Sequence, residues 1–362
     1  MSFGPIRRTG WRGMRGLHRR CVRRPVFRTL AGSAVICDAA LARRVLVDAD
    51  GRLDHVPAFW RPGGVALPPD VCGALNRWAH RALAAEDPEQ AAGTVVDAVA
   101  AAHGDLHRAC LHAVVAAAGR ALGLDREPVL RDTVAAFLDA VFHSMVTGDR
   151  RQADHGTFHR LCARAAPAVA AGAVPGFPDL DPAVGGEVYL RAVSAFTGAS
   201  AAALSWLVCV LHPGDLVAAR RAPDAVAAGG AEPEHVALET LRLWPPAWQH
   251  RRPVLRDHRI GPLAVLEGDD VVVPSYALQR HPRYWPDPDT FDPGRWAGWS
   301  GRPDAFLPFA VGPGACVAAV FEVRRLAAVA RQLAARPPLS LSRRSGTPCV
   351  TAIFSAPRHT LA

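Results

Sequence analysis

"FLPFAVGPGACVAA", Phe306 to Ala319, sets one cysteine at the end of a loop made of glycine, proline and alanine. No second cysteine and no histidine stands beside it, so the local spacing spells neither a redox pair nor a paired metal site. Val317 to Ala335 reads as a helix, which puts the Cys316 sulfur at a helix N-terminus, where backbone dipoles favour the thiolate. The loop reads as a holder for one reactive sulfur.

Working outward, the chain before this loop is turn-rich, "YWPDPDTFDPGRW" from Tyr284, and before that it carries short β segments, "RRPVLRDHRIGPLAVLEGDDVVVPSYA" from Arg251. A helix opening at "GGAEPEH" precedes them, with Gly229 and Gly230 as breakers and Pro233 where a first-turn proline is tolerated; it ends at Pro245-Pro246. On it Glu239 and Arg242, in "ETLR", are three apart on one face that also carries Val236 and Leu243. Such a pair is ordinarily a surface ion pair of little worth, unless the apolar face buries it.

Ala192 to Leu211 runs without a charge and reads as a long helix buried in protein rather than a membrane span, because its first half is small and hydroxylated and its ends carry no anchoring residues. Helical periodicity also covers Val71 to about Gly123 and Glu127 to Thr147, and Pro167 to Pro182 reads as a loop. Near the start, "VICDAALARRVLVDADG" reads as a short strand and an amphipathic helix. The fold class is therefore mainly α with a small β part.

The chain has 362 residues and a formal charge of +9. Its 42 basic residues are all arginine; nine of them lie between Arg7 and Arg28, ahead of the first acid, Asp38, and the remaining 33 balance the 33 carboxylates. The first 30 residues read as a basic, solvated or disordered arm, residues 31–362 as one domain. Binding of nucleic acid by the arm is the disfavoured reading, since no aromatic interleaving or nucleic-acid motif accompanies it. Eight cysteines without a C-x-x-C pair fit a reducing cytoplasm, and no signal peptide is visible. The histidines of "HGDLHRACLH", His103 to His112, lack the tight paired spacing of a structural zinc site.

"ETLRLWPP", "RRPVLRDHRIG", "YWPDPDTFDPGRW" and "FLPFAVGPGAC" occur in the order and approximate spacing of the C-terminal half of the cytochrome P-450 family. The chain resembles that family well from Ala192 to about Leu333 and more loosely back to Val35. The resemblance implies a P-450-like fold, shortened on its N-terminal side, and a haem b cofactor with Cys316 as axial thiolate. It also implies that Phe309 lies against the porphyrin, that Gly312 makes the tight turn bringing amides to the sulfur, and that Arg252 meets a haem propionate. Glu239, Arg242 and Arg295 would form a buried charge network.

The departures are local. In the family loop F-x-x-G-x-R-x-C-x-G the arginine is here Gly314 and the last glycine is Ala318. The family's early-helix histidine and arginine correspond to Asn76 and His80, and Gln279 stands where a histidine normally precedes Arg280. Asn76, His80 and Gln279 are therefore the remaining candidate cofactor contacts. In the uncharged helix, Gly198 and Ala199 replace the acid and alcohol with which the family relays protons, and Thr197 and Ser200 flank the gap as candidate catalytic hydroxyls; bonding to the preceding turn is the competing reading.

The resemblance thus implies a cytoplasmic haem-thiolate oxidoreductase of monooxygenase type. Its substrate would be a small-molecule or carrier-bound secondary metabolite, as in antibiotic biosynthesis, and its electrons would come from a ferredoxin and ferredoxin reductase. The alternative from another class is a non-catalytic, P-450-like auxiliary protein that stabilises a partner enzyme such as a glycosyltransferase.

Overall fold

The computed structural model describes residues 10–147, 155–211, 232–298, 303–343, 347–350 and 353–362. In chain order its helices are α1 (Gly10–Arg23), α2 (Ala39–Val47), α3 (Pro69–Ala84), α4 (Pro88–Ala100), α5 (Leu106–Ala117), α6 (Pro128–Thr147), α7 (His155–Ala170), α8 (Pro182–Leu211), α9 (Pro233–Leu243), α10 (Ser275–Leu278) and α11 (Ala319–Ala334). The strands are β1 (Val26–Arg28), β2 (Ala34–Ile36), β3 (Gly104–Asp105), β4 (His250–Pro253), β5 (His258–Ile260), β6 (Leu263–Val265), β7 (Asp270–Val273), β8 (Leu341–Arg343), β9 (Cys349–Val350), β10 (Phe354–Ser355) and β11 (His359–Leu361). The mainly helical class with a small β part holds.

Local chemistry sets the boundaries. Asp38 caps α2 by accepting from the Leu41 amide, Asp87 caps α4 ahead of Pro88, and Asp105 caps α5 through the His107 and Arg108 amides. These caps cut the helical stretch read from Val71 to Gly123 into three helices. Pro167 lies within α7, where a loop was expected to begin. The breakers Gly229 and Gly230 lie outside the described residues.

Two units divide the chain, each made of separated stretches. The first comprises Met1–His55, Trp206–Cys316 and Ser345–Pro357; the second comprises Val56–Ser205, Val317–Arg344 and Arg358–Ala362. No shift in composition could mark a boundary the chain crosses repeatedly.

The first unit centres on a sheet ordered β1-β2-β7-β4, in which β2 and β7 are parallel and the other pairs antiparallel. The three residues of β2 and Val271, Val272 and Val273 of β7 are fully buried, as central strands require. Its aromatic core stacks Trp206 on Trp244 at 4.8 Å, with Phe354 beside them.

The basic arm is ordered in its described part. Residues 10–23 form α1, with Met14 and Cys21 at 1% exposure and Trp11 stacked on Phe354 at 5.9 Å. Trp11, Met14, Leu17 and Cys21 recur at helical spacing among the arginines, so the helix is amphipathic and its apolar stripe docks. Cys21 and Cys37 form a disulfide, against the expectation of unpaired thiols; their separation of 16 residues matches no local motif.

In the second unit α4 packs on α11 and α5, and α6 on α7. Asp97 and Arg336 form an ion pair at 2.6 Å there, and Glu89 pairs with Arg331. The strand β11 joins β3 and β8. Helix α8 is long and apolar enough to cross a membrane, and 72% of its most apolar window is buried inside the protein, as in a core helix.

Candidate functional site

In the first unit, α9 carries Glu239 and Arg242, both with side chains at 0% exposure. The Arg242 Nε and Nη2 donate to the two Glu239 oxygens at 2.8 and 2.7 Å, a bidentate pairing. Glu239 also accepts from Arg295 Nε at 2.9 Å, Trp296 Nε1 at 3.0 Å and the Asp292 amide at 2.9 Å. Arg242 spends its remaining donors on the carbonyls of Gln279, Pro288 and Thr290. One carboxylate and two guanidinium groups thus tie α9 to the turn-rich segment 286–296.

Gln279, one of the candidate cofactor contacts, lies within this frame. Its Nε2 donates to the Leu241 and Arg242 carbonyls, and its Oε1 accepts from the Leu307 amide at 2.8 Å. Its amide makes three hydrogen bonds to protein and joins the end of α9 to the start of the cysteine loop.

The loop itself turns tightly. Phe309 is half-buried, Ala310 takes a left-handed φ of 55°, and Gly312 one of 74°. The Cys316 amide donates to the Phe309 carbonyl at 2.9 Å, which closes the turn, and the Cys316 side chain is exposed. A Cβ at Gly312 would lie 2.5 Å from the Leu46 carbonyl oxygen and 2.7 Å from the Val47 Cα, both backbone atoms at the end of α2. Gly312→Ala is therefore expected to cost about 2–3 kcal/mol, combining a forced φ with a backbone clash. A chemical-denaturation midpoint unchanged from the wild type would refute that account of the turn.

Arg252, on β4, reaches this loop. Its Nε donates to His55 Nδ1 at 3.2 Å, its Nη1 to the Arg251 carbonyl at 2.9 Å, and its Nη2 makes a long 3.5 Å contact with the Gly314 carbonyl. Burial lowers its basicity and Asp54 partly offsets that; no carboxylate pairs with it directly among the described residues. The chemistry fits haem, the group the resemblance implies. Cys316 offers an exposed sulfur on a backbone-fixed loop, and Arg252 is a cation with capacity left for a carboxylate such as a propionate.

The second unit holds the other candidates. Asn76 accepts from Trp60 Nε1 at 3.0 Å, and His80 is exposed. Thr197 is fully buried and donates to the Val193 carbonyl at 2.7 Å, so its hydroxyl is bonded to the preceding turn. Ser200 differs: its Oγ lies 2.8 Å from the Phe196 carbonyl and 2.6 Å from Glu322 Oε1 on α11. The other Glu322 oxygen takes Arg325 Nη2 at 2.7 Å, and both residues are buried. Sequence reasoning missed Glu322, because an acid in the first turn of a helix looks like dipole complementation. Its position among α11's buried residues was the available signal.

Residues 234–321 match the family model for Cytochrome P450. The chain is 32% identical over 158 residues to "Cyclooctatin synthase" of Streptomyces melanosporofaciens, covering 39% of this chain and 34% of that protein. It is 41% identical over 93 residues to human Cytochrome P450 4V2, covering 25% and 18%. The aligned regions span 34% and 18% of these relatives' lengths. Among solved structures, CYP154A1 from Streptomyces coelicolor superposes with a TM-score of 0.71 at 20% identity, covering 96% of each chain. Open cytochrome P450 Eryk from S. erythraea gives 0.70 at 19%, covering 97% of this chain and 95% of that one. The fold is that of cytochrome P450, and the resemblance read from the four motifs stands.

Proposed function

We propose that this chain, with the cytochrome P450 match over its C-terminal part and the P450 fold, is a haem-thiolate oxidoreductase of monooxygenase type. The exposed Cys316 on its closed, glycine-dependent turn is the observation that carries the reading. Cys316 would supply the thiolate and Arg252 would meet a propionate, with Phe309 flanking the ring. Haem, when bound, supplies oxygen activation and the oxidising equivalents.

The chain's own residues do the rest. Glu239, Arg242 and Arg295 keep the segment leading to the loop in place, and Gln279 pins Leu307 at its start. Ser200 and Glu322 form a buried alcohol–acid pair that can hold a proton between them, close in sequence to the positions where Gly198 and Ala199 leave none. One hydroxyl proton cannot serve both the Phe196 carbonyl and Glu322, so Ser200 donates to one of the two at a time.

The proposed substrate is a small-molecule or carrier-bound secondary metabolite, with a ferredoxin and its reductase as electron source in the cytoplasm. The Streptomyces relatives named "Cyclooctatin synthase" and "Cyclooctat-9-en-7-ol 5-monooxygenase" support that class. A partner-stabilising auxiliary protein is the second reading, favoured by Gly314 and by the back-bonded Thr197.

An absorption spectrum separates the two. The protein, produced with haem precursor, is reduced with dithionite and exposed to carbon monoxide. A strongly red-shifted Soret band in the wild type, lost in Cys316→Ser, is expected. Absence of haem, or a band without that shift, would overturn the enzyme reading.

A further inference from the structure

Helix α1 carries a cluster of charge that the haem-thiolate reading does not use. Gly16, Arg19, Arg20 and Arg23 stand three or four residues apart and exposed, so they share one face of the helix. The Arg24 amide donates to the Arg20 carbonyl at 3.0 Å, which continues the last turn. These five residues line a cleft of about 520 Å³. A Cβ built at Gly16 meets nothing within 4 Å, and its φ is not left-handed, so neither crowding nor a turn calls for glycine there. An interior glycine weakens a helix relative to alanine. What its missing side chain does here is leave room among four guanidinium groups.

The opposite face of the helix holds this array in place. Met14 and Cys21 are buried, Trp11 stacks on Phe354, and Cys21 is bonded to Cys37. A carbonyl can only accept, so the His18 Nε2 donates to Arg280 O at 3.2 Å. Arg20 lies 4.4 Å from the centre of the Phe27 ring, and its Nη2 makes a long 3.4 Å contact with the Arg28 carbonyl. Among the described residues no carboxylate pairs with Arg19, Arg20, Arg23 or Arg24. The acids on adjoining segments are committed elsewhere, Asp269 to Arg28 at 2.8 Å and Asp289 to Arg280 at 2.5 Å. Like charges held this close repel one another until an anion joins them.

We propose that the cleft on α1 is a binding site for a compact phosphorylated anion, one that presents adjacent phosphate groups as pyrophosphate does. A guanidinium fork takes two oxygens at once, so four forks around one space suit the oxygens of neighbouring phosphates better than a lone phosphate. The helix is poorly built for extended polyanions. Its apolar stripe is turned into protein rather than toward a bilayer, and Trp11 is stacked on Phe354 rather than free for nucleic-acid bases. Free pyrophosphate and a nucleoside diphosphate offer the same group. Haem is not needed for the site.

Titration calorimetry on the full chain with its disulfide intact tests this. Pyrophosphate should bind once per chain and about tenfold or more tighter than inorganic phosphate or sulfate. Arg19→Gln and Arg23→Gln should each weaken it about tenfold, the loss of one charge-assisted contact. Arg12→Gln, on the same helix but outside the cleft, should change it less than about twofold, since only screened charge is lost. Gly16→Glu should abolish binding by placing a carboxylate among the guanidinium groups, while Gly16→Ala, which keeps the charge and favours the helix, should retain it. In the wild type, pyrophosphate should protect Arg19 and Arg23, but not Arg12, from phenylglyoxal, a readout that needs no variant. ADP bound as tightly as pyrophosphate or tighter assigns a nucleotide source, and ADP bound more weakly assigns the free anion; both support the site. Equal losses in Arg12→Gln and Arg19→Gln, or affinities that follow anion charge alone, would show a diffuse basic surface and overturn the proposal. So would DNA or anionic vesicles bound more tightly than pyrophosphate.

Discussion

Replacing Glu239 with alanine is expected to cost about 3–5 kcal/mol, the range for stranding a buried charge, against a total stability of about 5–15 kcal/mol. The magnitude follows from what remains. Arg242 is at 0% exposure and Arg295 at 9%, and without Glu239 the two guanidinium groups face each other with no carboxylate between them. Burial already lowers the basicity of Arg242, with Glu239 as the counterweight and Arg295 and Arg280 adding to the strain. Removing Arg242 instead leaves Glu239 paired with Arg295, Trp296 and the Asp292 amide. Arg242→Ala should therefore cost less than Glu239→Ala, and the double variant less than the sum. Urea unfolding followed by tryptophan fluorescence checks this. Arg242 lies 5.1 Å from the Trp285 ring and Trp296 bonds to Glu239, so the signal reports on the network itself. Equal costs for the two single variants, or a Glu239→Ala loss below about 1 kcal/mol, would show that the network is not the strained, carboxylate-centred device described.

What could be read from the sequence was what repeats over short distances. Glu239 and Arg242 share a helical face three residues apart, the strands from Arg251 to Val273 alternate with turn residues, and Cys316 follows a glycine–proline turn into a helix. Each is a local pattern with a physical period. The docking of α1 was hidden because its apolar stripe, Trp11, Met14, Leu17 and Cys21, is interleaved with arginines that dominate any average over the segment.

Side-chain pairs across long separations were not legible. Arg252 and His55 are 197 positions apart, and Ser200 and Glu322 are 122 apart. Nothing local distinguishes Asp48 or His55 from surface residues; only the fold brings Arg252 of β4 against His55. Gln279 was noticed for its place next to Arg280, but its three hydrogen bonds close a structural tie that sequence could not separate from a ligand contact.

His250 sets the second large expectation, a loss of stability in mild acid. It is 9% exposed on β4, and its Nε2 donates to the Leu307 carbonyl at 2.7 Å. Burial pushes its pKa down to about 4 from 6.5, with the Leu307 contact opposing and Arg252 reinforcing the shift. The unfolded chain binds the proton near pH 6.5 while the folded one resists it until about pH 4, so the unfolded state holds more protons throughout that window. Stability is thus intact above the window and falls as pH drops through it, by about 3 kcal/mol for this one group. His107, also lowered to about 4 by burial with Asp105 opposing, adds to the same loss, though its residue is less enclosed. The carboxyl groups held below their ordinary value of 3.8, Asp48, Asp139 and Asp269, are stabilising above that value and lose this contribution only below it, outside the window. Unfolding midpoints at a series of pH values from 7 to 4 should therefore fall steeply in the wild type and less in His250→Gln, whose amide can still donate to Leu307. A slope unchanged by that substitution would show that His250 is not the group that titrates.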